Sequence, residues 1–461
     1  MKRYAPFLYS LGTNALSFCI SALTTFVVPK LLGATNYGYW QLYLFYVSYI
    51  GIFHFGWNDG IYLRYGGSNY NDLDKDSLYE QFCIELILQF LIAICIIILT
   101  SVFYDPYKRT VLLWVAVCMI ITNIRSMFVY ILQMTSRIKE YAIINTIDRG
   151  LFGVFVVLLL SKNSDNFESL IGGDLTCRLL SLILALLFCK DIFKMKSRKW
   201  KGIFTEIWKN IDVGSKLMFA NLAGMLITGI VRFGIEHIWS IEIFGKISLT
   251  ISISNFLIIF INSVGIVIYP MLRNIEADYR RSLFIKLNNA FVYAYVILLV
   301  FFPFKIFINL LLPEYTDSII YMATLFPICI YEGKISLLYL TYLKALRKEK
   351  EILYINVITV LISIILTFIT TYLLKNLFLS VFSITILMFI RSTLNELYLG
   401  MVLNIKNIWV NVIFELILSS AFIISTTTLQ SNITAAIYLA LYLLIIGTYR
   451  IVSPLYSVKK Y

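Results

Sequence analysis

The chain has 461 residues, of which 60% are hydrophobic and only 14% charged, and its net charge is +13. That balance excludes a soluble globular domain, in which about a quarter of residues carry charge. The positive excess does not point to nucleic acid either, because the basic residues sit in short loops and not on one folded basic face.

In chain order, apolar runs long enough to cross a hydrocarbon core about 30 Å thick predict an all-α integral membrane protein with fourteen spans. They lie at 7–29, 38–63, 80–104, 110–134, 141–161, 168–190, 213–236, 243–269, 284–312, 317–343, 352–374, 378–403, 409–428 and 432–450. The six residues before the first span are too few for a signal peptide, and no small-residue cleavage site follows it, so that span is expected to remain. Counting edge residues with the adjoining gap, the tails and even-numbered gaps hold 25 of the 39 Lys and Arg, and the odd-numbered gaps hold 6. Lys and Arg are retained inside, so both termini are expected in the cytoplasm of a multi-pass cytoplasmic-membrane protein.

No gap is long enough to be a domain. The polar stretch 64–77 reads as a loop. The longest gap, 191–212, is basic, and its Ile203, Phe204, Ile207 and Trp208 alternate with charge as in an interfacial helix. It falls where a linker between pseudo-symmetric halves belongs. The expected organisation is a six-helix lobe at 1–190, the linker at 191–212, a second six-helix lobe at 213–403, and two further helices with the tail at 404–461. Asn14 lies on a polar stripe of span 1, and Asn221, with Gly214, Thr228 and Arg232, on a similar stripe of span 7. Such stripes either line a substrate path or hold helices together. Seven Cys without CxxC spacing and two His offer no metal framework, and no cofactor is expected.

Eight basic residues fall inside the spans, where each would cost about 2.5–3.5 kcal/mol if it faced lipid at mid-bilayer. Lys216 and Lys305 lie near span ends and can snorkel. Arg125, Arg149, Arg232, Lys334 and Arg391 are the candidate anion-binding residues, with Asn14 and Asn221 beside them. Arg178 has Asp174 one turn earlier, a self-neutralising spacing. Asp59, Glu85, Asp148, Glu332 and Glu396 are candidates for ion coupling, or for neutralising those cations. Gln81, Glu85 and Gln89, four residues apart, make one polar face of span 3.

The run Pro29, Leu32-Gly33-Ala34-Thr35-Asn36-Tyr37-Gly38-Tyr39-Trp40, Phe55-Gly56-Trp57-Asn58-Asp59-Gly60 and Arg64 carries a resemblance. So do Arg232, Glu242-Ile243-Phe244-Gly245-Lys246-Ile247-Ser248 and Tyr269-Pro270. These resemble the oligosaccharide-lipid flippases of the polysaccharide transport family, relatives of the multidrug and toxic-compound extrusion transporters and of the lipid II flippase. Val231 departs from the Asp often found before the Arg. The resemblance implies a transporter, not an enzyme. It would move an undecaprenyl-pyrophosphate-linked oligosaccharide across the cytoplasmic membrane for a capsule, exopolysaccharide or O-antigen, by alternating access with a cationic cavity. The implied partners are that substrate, membrane lipid and, as a candidate, a polysaccharide polymerase. The rival readings are a cation-coupled multidrug exporter of the same fold and, further off, a membrane glycosyltransferase or polymerase.

Overall fold

Among the described residues the predicted apolar runs fall largely on helices, in the expected order. The computed structural model describes residues 18–103, 106–161, 165–194, 202–273, 277–428, 433–455 and 457–458. The helices are α1 (Phe18–Phe26), α2 (Val28–Val47), α3 (Trp57–Arg64), α4 (Lys75–Phe103), α5 (Pro106–Met134), α6 (Ile138–Ser161), α7 (Phe167–Phe188), α8 (Ile203–Ile238) and α9 (Ile241–Arg273). They continue with α10 (Ala277–Tyr293), α11 (Phe301–Leu311), α12 (Ile319–Leu325), α13 (Ile328–Lys334), α14 (Leu340–Ala345), α15 (Glu349–Thr367), α16 (Leu377–Val402), α17 (Trp409–Thr428) and α18 (Thr434–Val452). Among the described residues, ten helices are long and apolar enough to cross a membrane, or up to twelve if each of two bent pairs is one span. The count of fourteen included a first span whose start, with Asn14, lies outside the described residues.

The chain divides into two units, Met1–Leu222 and Ala223–Tyr461. In the first, α1 and α2 meet at a bend of 65°. Within α2, Gly33 takes φ 68°, ψ 172°, a conformation that a side chain resists, and this separates the first two runs. A second break follows α2, where a 3₁₀ turn (Ile50–His54) ends in Phe55 and Gly56, both left-handed (φ 53° and 77°). Beyond it α3 and α8 cross backbone to backbone. A Cβ on Gly60 would stand 1.9 Å from the Asn210 carbonyl oxygen, and one on Gly214 1.9 Å from the Gly56 carbonyl oxygen. Only glycine permits so close a crossing, which lets Arg64 reach Asn210 and Glu206 (2.5 and 2.9 Å).

Lipid inverts the usual burial logic, because an apolar side chain loses little by facing acyl chains. On α4, Ile87, Leu91 and Ile98 are exposed while Gln81, Glu85 and Gln89 are fully buried. The interfacial stretch continues straight into α8, a single helix of 36 residues, with Ile203 and Ile207 buried and Phe204 and Trp208 more than 70% exposed. The loop before α4 is held by Tyr70, with Arg137 and Lys75 4.6 and 5.2 Å from its ring centre. Burial, and then the neighbouring Cys189 thiol, pushes the Tyr70 phenol up.

In the second unit, α12 and α13 form a bent pair (42°) across Pro327, and a π turn (Ile335–Tyr339) joins α13 to α14. Phe301, Phe326 and Phe422 pack ring to ring, with centroids 5.5–6.1 Å apart. A two-residue antiparallel pair, β1 (Ile405–Lys406) with β2 (Ser457–Val458), ties the tail to the turn after α16.

Candidate functional site

Charged residues inside spans must find partners on other helices, and most of them do. In the first unit, Arg125 Nη1 on α5 donates to Asp148 Oδ2 on α6 at 2.6 Å and to Ser181 Oγ on α7 at 3.0 Å. Arg178 Nε donates to Asp174 Oδ2 one turn earlier at 2.7 Å, and Tyr43 of α2 donates to the same oxygen at 2.7 Å. Thus α2, α5, α6 and α7 are bound by two adjacent ion pairs. Arg149, beside Asp148, is exposed and has no side-chain hydrogen bond or ion pair among the described residues. Asn221 is exposed on α8.

The polar face of α4 grips the break between α2 and α3. Gln81 Oε1 accepts from Trp57 Nε1 (2.9 Å) and Asn210 Nδ2 (2.8 Å). Gln89 Nε2 donates to the Phe53 carbonyl (3.0 Å), and Asn123 Nδ2 on α5 donates to the Ile50 carbonyl (3.1 Å) and to Gln89 Oε1 (2.9 Å). These side chains supply donors to carbonyls that the broken helix leaves without partners. Asp59 approaches His54 at 3.7 Å.

In the second unit, Arg391 on α16 is buried, with Nε donating to Asn356 Oδ1 on α15 (3.0 Å) and Nη1 to Glu332 Oε2 on α13 (3.2 Å). Gly224 leaves the room: its Cβ would stand 3.3 Å from Arg391 Nη2. Glu332 remains 30% exposed, so this pair meets open space on one side. Two residues on, Lys334 points the other way and is fully enclosed. It donates to Glu396 Oε2 on α16 (2.9 Å) and to Glu415 Oε1 on α17. Glu396 also accepts from Asn288 Nδ2 (2.6 Å) and Tyr339 Oη (2.8 Å). Arg232 Nη2 donates to Ser248 Oγ (3.0 Å), with its guanidinium 5.4 Å from the Phe244 ring centre.

The candidates therefore separate into charge-compensated sets. Arg125 with Asp148, Lys334 with Glu396, and Arg391 with Glu332 are brought together, whereas Arg149, Arg232 and Asn221 stand apart from them. Glu415, Asn123, Asn288 and Asn356 were not singled out from the sequence, and Asn58 was quoted only within the motif 55–60, with no role given. Glu415 had a signal, the only charged residue in the run 409–428. The asparagines had none, since an Asn in an apolar run reads equally as helix glue. Among the described residues no group of three or more His, Cys, Asp or Glu is arranged to hold a metal ion.

No protein-family model and no curated protein sequence matches the chain. Among solved structures, a lipid II flippase (MurJ) in an inward closed conformation superposes with a TM-score of 0.64 at 13% identity, over 97% of this chain and 99% of that one. An inward-facing multidrug resistance MATE transporter of the MOP superfamily superposes with a TM-score of 0.52 at 13% identity, over 89% and 98%. The chain shares the fold of these two structures. At such identity the likeness establishes architecture, and function has to be argued from the residues.

Proposed function

We propose that the chain is a flippase for an undecaprenyl-pyrophosphate-linked oligosaccharide, working in the cytoplasmic membrane with both termini inside and feeding a surface polysaccharide. The carrying observation is the near full-length superposition on a lipid II flippase, with motifs of the oligosaccharide-lipid flippases in the same chain. Embedded cations add to it. Arg391, whose partner Glu332 is part-exposed, and Arg149, which is exposed, are the groups best placed for a pyrophosphate. Its bonds to Asn356 and Glu332 keep the Arg391 guanidinium oriented, and an arriving phosphate takes the place of Glu332.

The multidrug-exporter reading draws on a different observation: each well-buried pair includes an acid that could face a cationic drug. Reconstitution decides between them. Protein-dependent transfer of a fluorescent polyprenyl-pyrophosphate oligosaccharide across proteoliposomes, weakened at least tenfold in Arg391→Ala at normal protein levels, supports the flippase. Transfer of a cationic dye with no lipid-linked transfer overturns it.

A further inference from the structure

Glu85 is fully buried in the middle of α4, and no Lys, Arg or His bonds to it among the described residues. Three charged groups on neighbouring elements are engaged elsewhere. Arg64 on α3 is taken by Glu206, Arg125 on α5 by Asp148, and His54 lies against Asp59. Its partner is Asn58, the second residue of α3, whose Nδ2 donates to Glu85 Oε1 at 2.8 Å. The same amide also points at the Asn123 carbonyl and Ser126 Oγ, both at 3.1 Å. Two acceptors of this residue pair, Glu85 Oε2 and Asn58 Oδ1, are buried without a hydrogen-bond partner. Two orphaned acceptors, on residues already joined by a hydrogen bond, lack one hydrogen between them. A carboxylate left so, with a single amide donor, would be an isolated charge in a low-dielectric interior.

We propose that Glu85 and Asn58 form a single-proton binding site, in which a neutral Glu85 donates Oε2–H to Asn58 Oδ1 and closes an acid–amide ring. A metal ion fits less well. Hard cations gather about six oxygens, whereas this residue pair offers two without a hydrogen-bond partner. The ring sits against the break between α2 and α3, so its proton holds α3 onto α4. Loss of the proton places a charge there and loosens the break. The site is defined by the first unit alone and stands apart from the choice of cargo.

Infrared spectroscopy of the whole protein in lipid nanodiscs tests it without any transport. The wild type should show a protonated-carboxyl band at neutral pH that shifts on ¹³C labelling of glutamate. The band should vanish in Glu85→Gln and move to higher frequency in Asn58→Leu, which keeps the acid but removes its amide partner. In parallel, the protection factors of amides over 50–58, corrected for the intrinsic rise of exchange with pH, should fall in alkaline buffer for the wild type and stay constant in Glu85→Gln. A wild type with no label-sensitive band overturns the proposal. So does a band that survives in Glu85→Gln, or one abolished by Na⁺ at fixed pH, which would make it a sodium site. Should Glu85→Gln fail to fold, Glu85→Asp moves the acid to an unlabelled aspartate, and the band should then lose its glutamate-label shift; a band that keeps the shift overturns the proposal.

Discussion

Replacing Lys334 by Met tests the most enclosed charge in the molecule. Lys334 is 0% exposed and is shared by Glu396 and Glu415 at 1% and 2% side-chain exposure, so it joins α13, α16 and α17. Met keeps most of the stem volume, which leaves the cavity term small. Among the described residues the carboxylates lose their only cation; Glu396 retains Asn288 and Tyr339, whereas Glu415 keeps no other side-chain donor there. Breaking a buried pair from one side costs about 3–5 kcal/mol, and two stranded carboxylates place this variant at the upper end. Replacing the whole set, as Lys334→Met with Glu396→Gln and Glu415→Gln, should return the stability to within about 1 kcal/mol of wild type, because a neutral cluster of the same shape has no stranded charge. Reversible unfolding in mixed micelles measures both, and thermal aggregation followed by size exclusion serves if unfolding is irreversible. The reasoning is refuted if Lys334→Met costs less than about 1 kcal/mol, or if the neutral triple variant is no more stable than the single one. Full stability with abolished transport would instead make Lys334 a substrate contact.

Gly214→Ala and Gly60→Ala should each lower the melting temperature strongly, at a cost above about 2 kcal/mol, because the new Cβ meets backbone atoms that cannot yield; Gly447→Ala, with open space around it, is the control and should melt as wild type does. Arg125→Asp should cost about 3 kcal/mol in the same unfolding assay, and adding Asp148→Arg should recover more than half of it if their 2.6 Å pair is what matters. In Arg391→Lys the planar fork that serves Asn356 from Nε and Glu332 from Nη1 is lost, and with it bidentate recognition of phosphate. Transport of the lipid-linked oligosaccharide should fall about tenfold with little change in expression, and full transport would remove Arg391 from the site.

The sequence by itself determined where the helices run, because that depends on local apolar length. It also showed contacts that close within one helix, such as Asp174 with Arg178 one turn apart. Only the tertiary structure decided what the buried charges do. Arg125 looked free because no acid lies within a turn, yet its partner arrives from 23 positions away. Lys334 and Glu332, two residues apart, go to different acids and bases because a helix turns them to opposite faces. The face of Gln81, Glu85 and Gln89 was legible as polar, but its use was not. Whether it lines a path or grips a broken helix depends on where Phe53, Trp57 and Asn58 are brought, and that is set by the glycine crossing of α3 and α8.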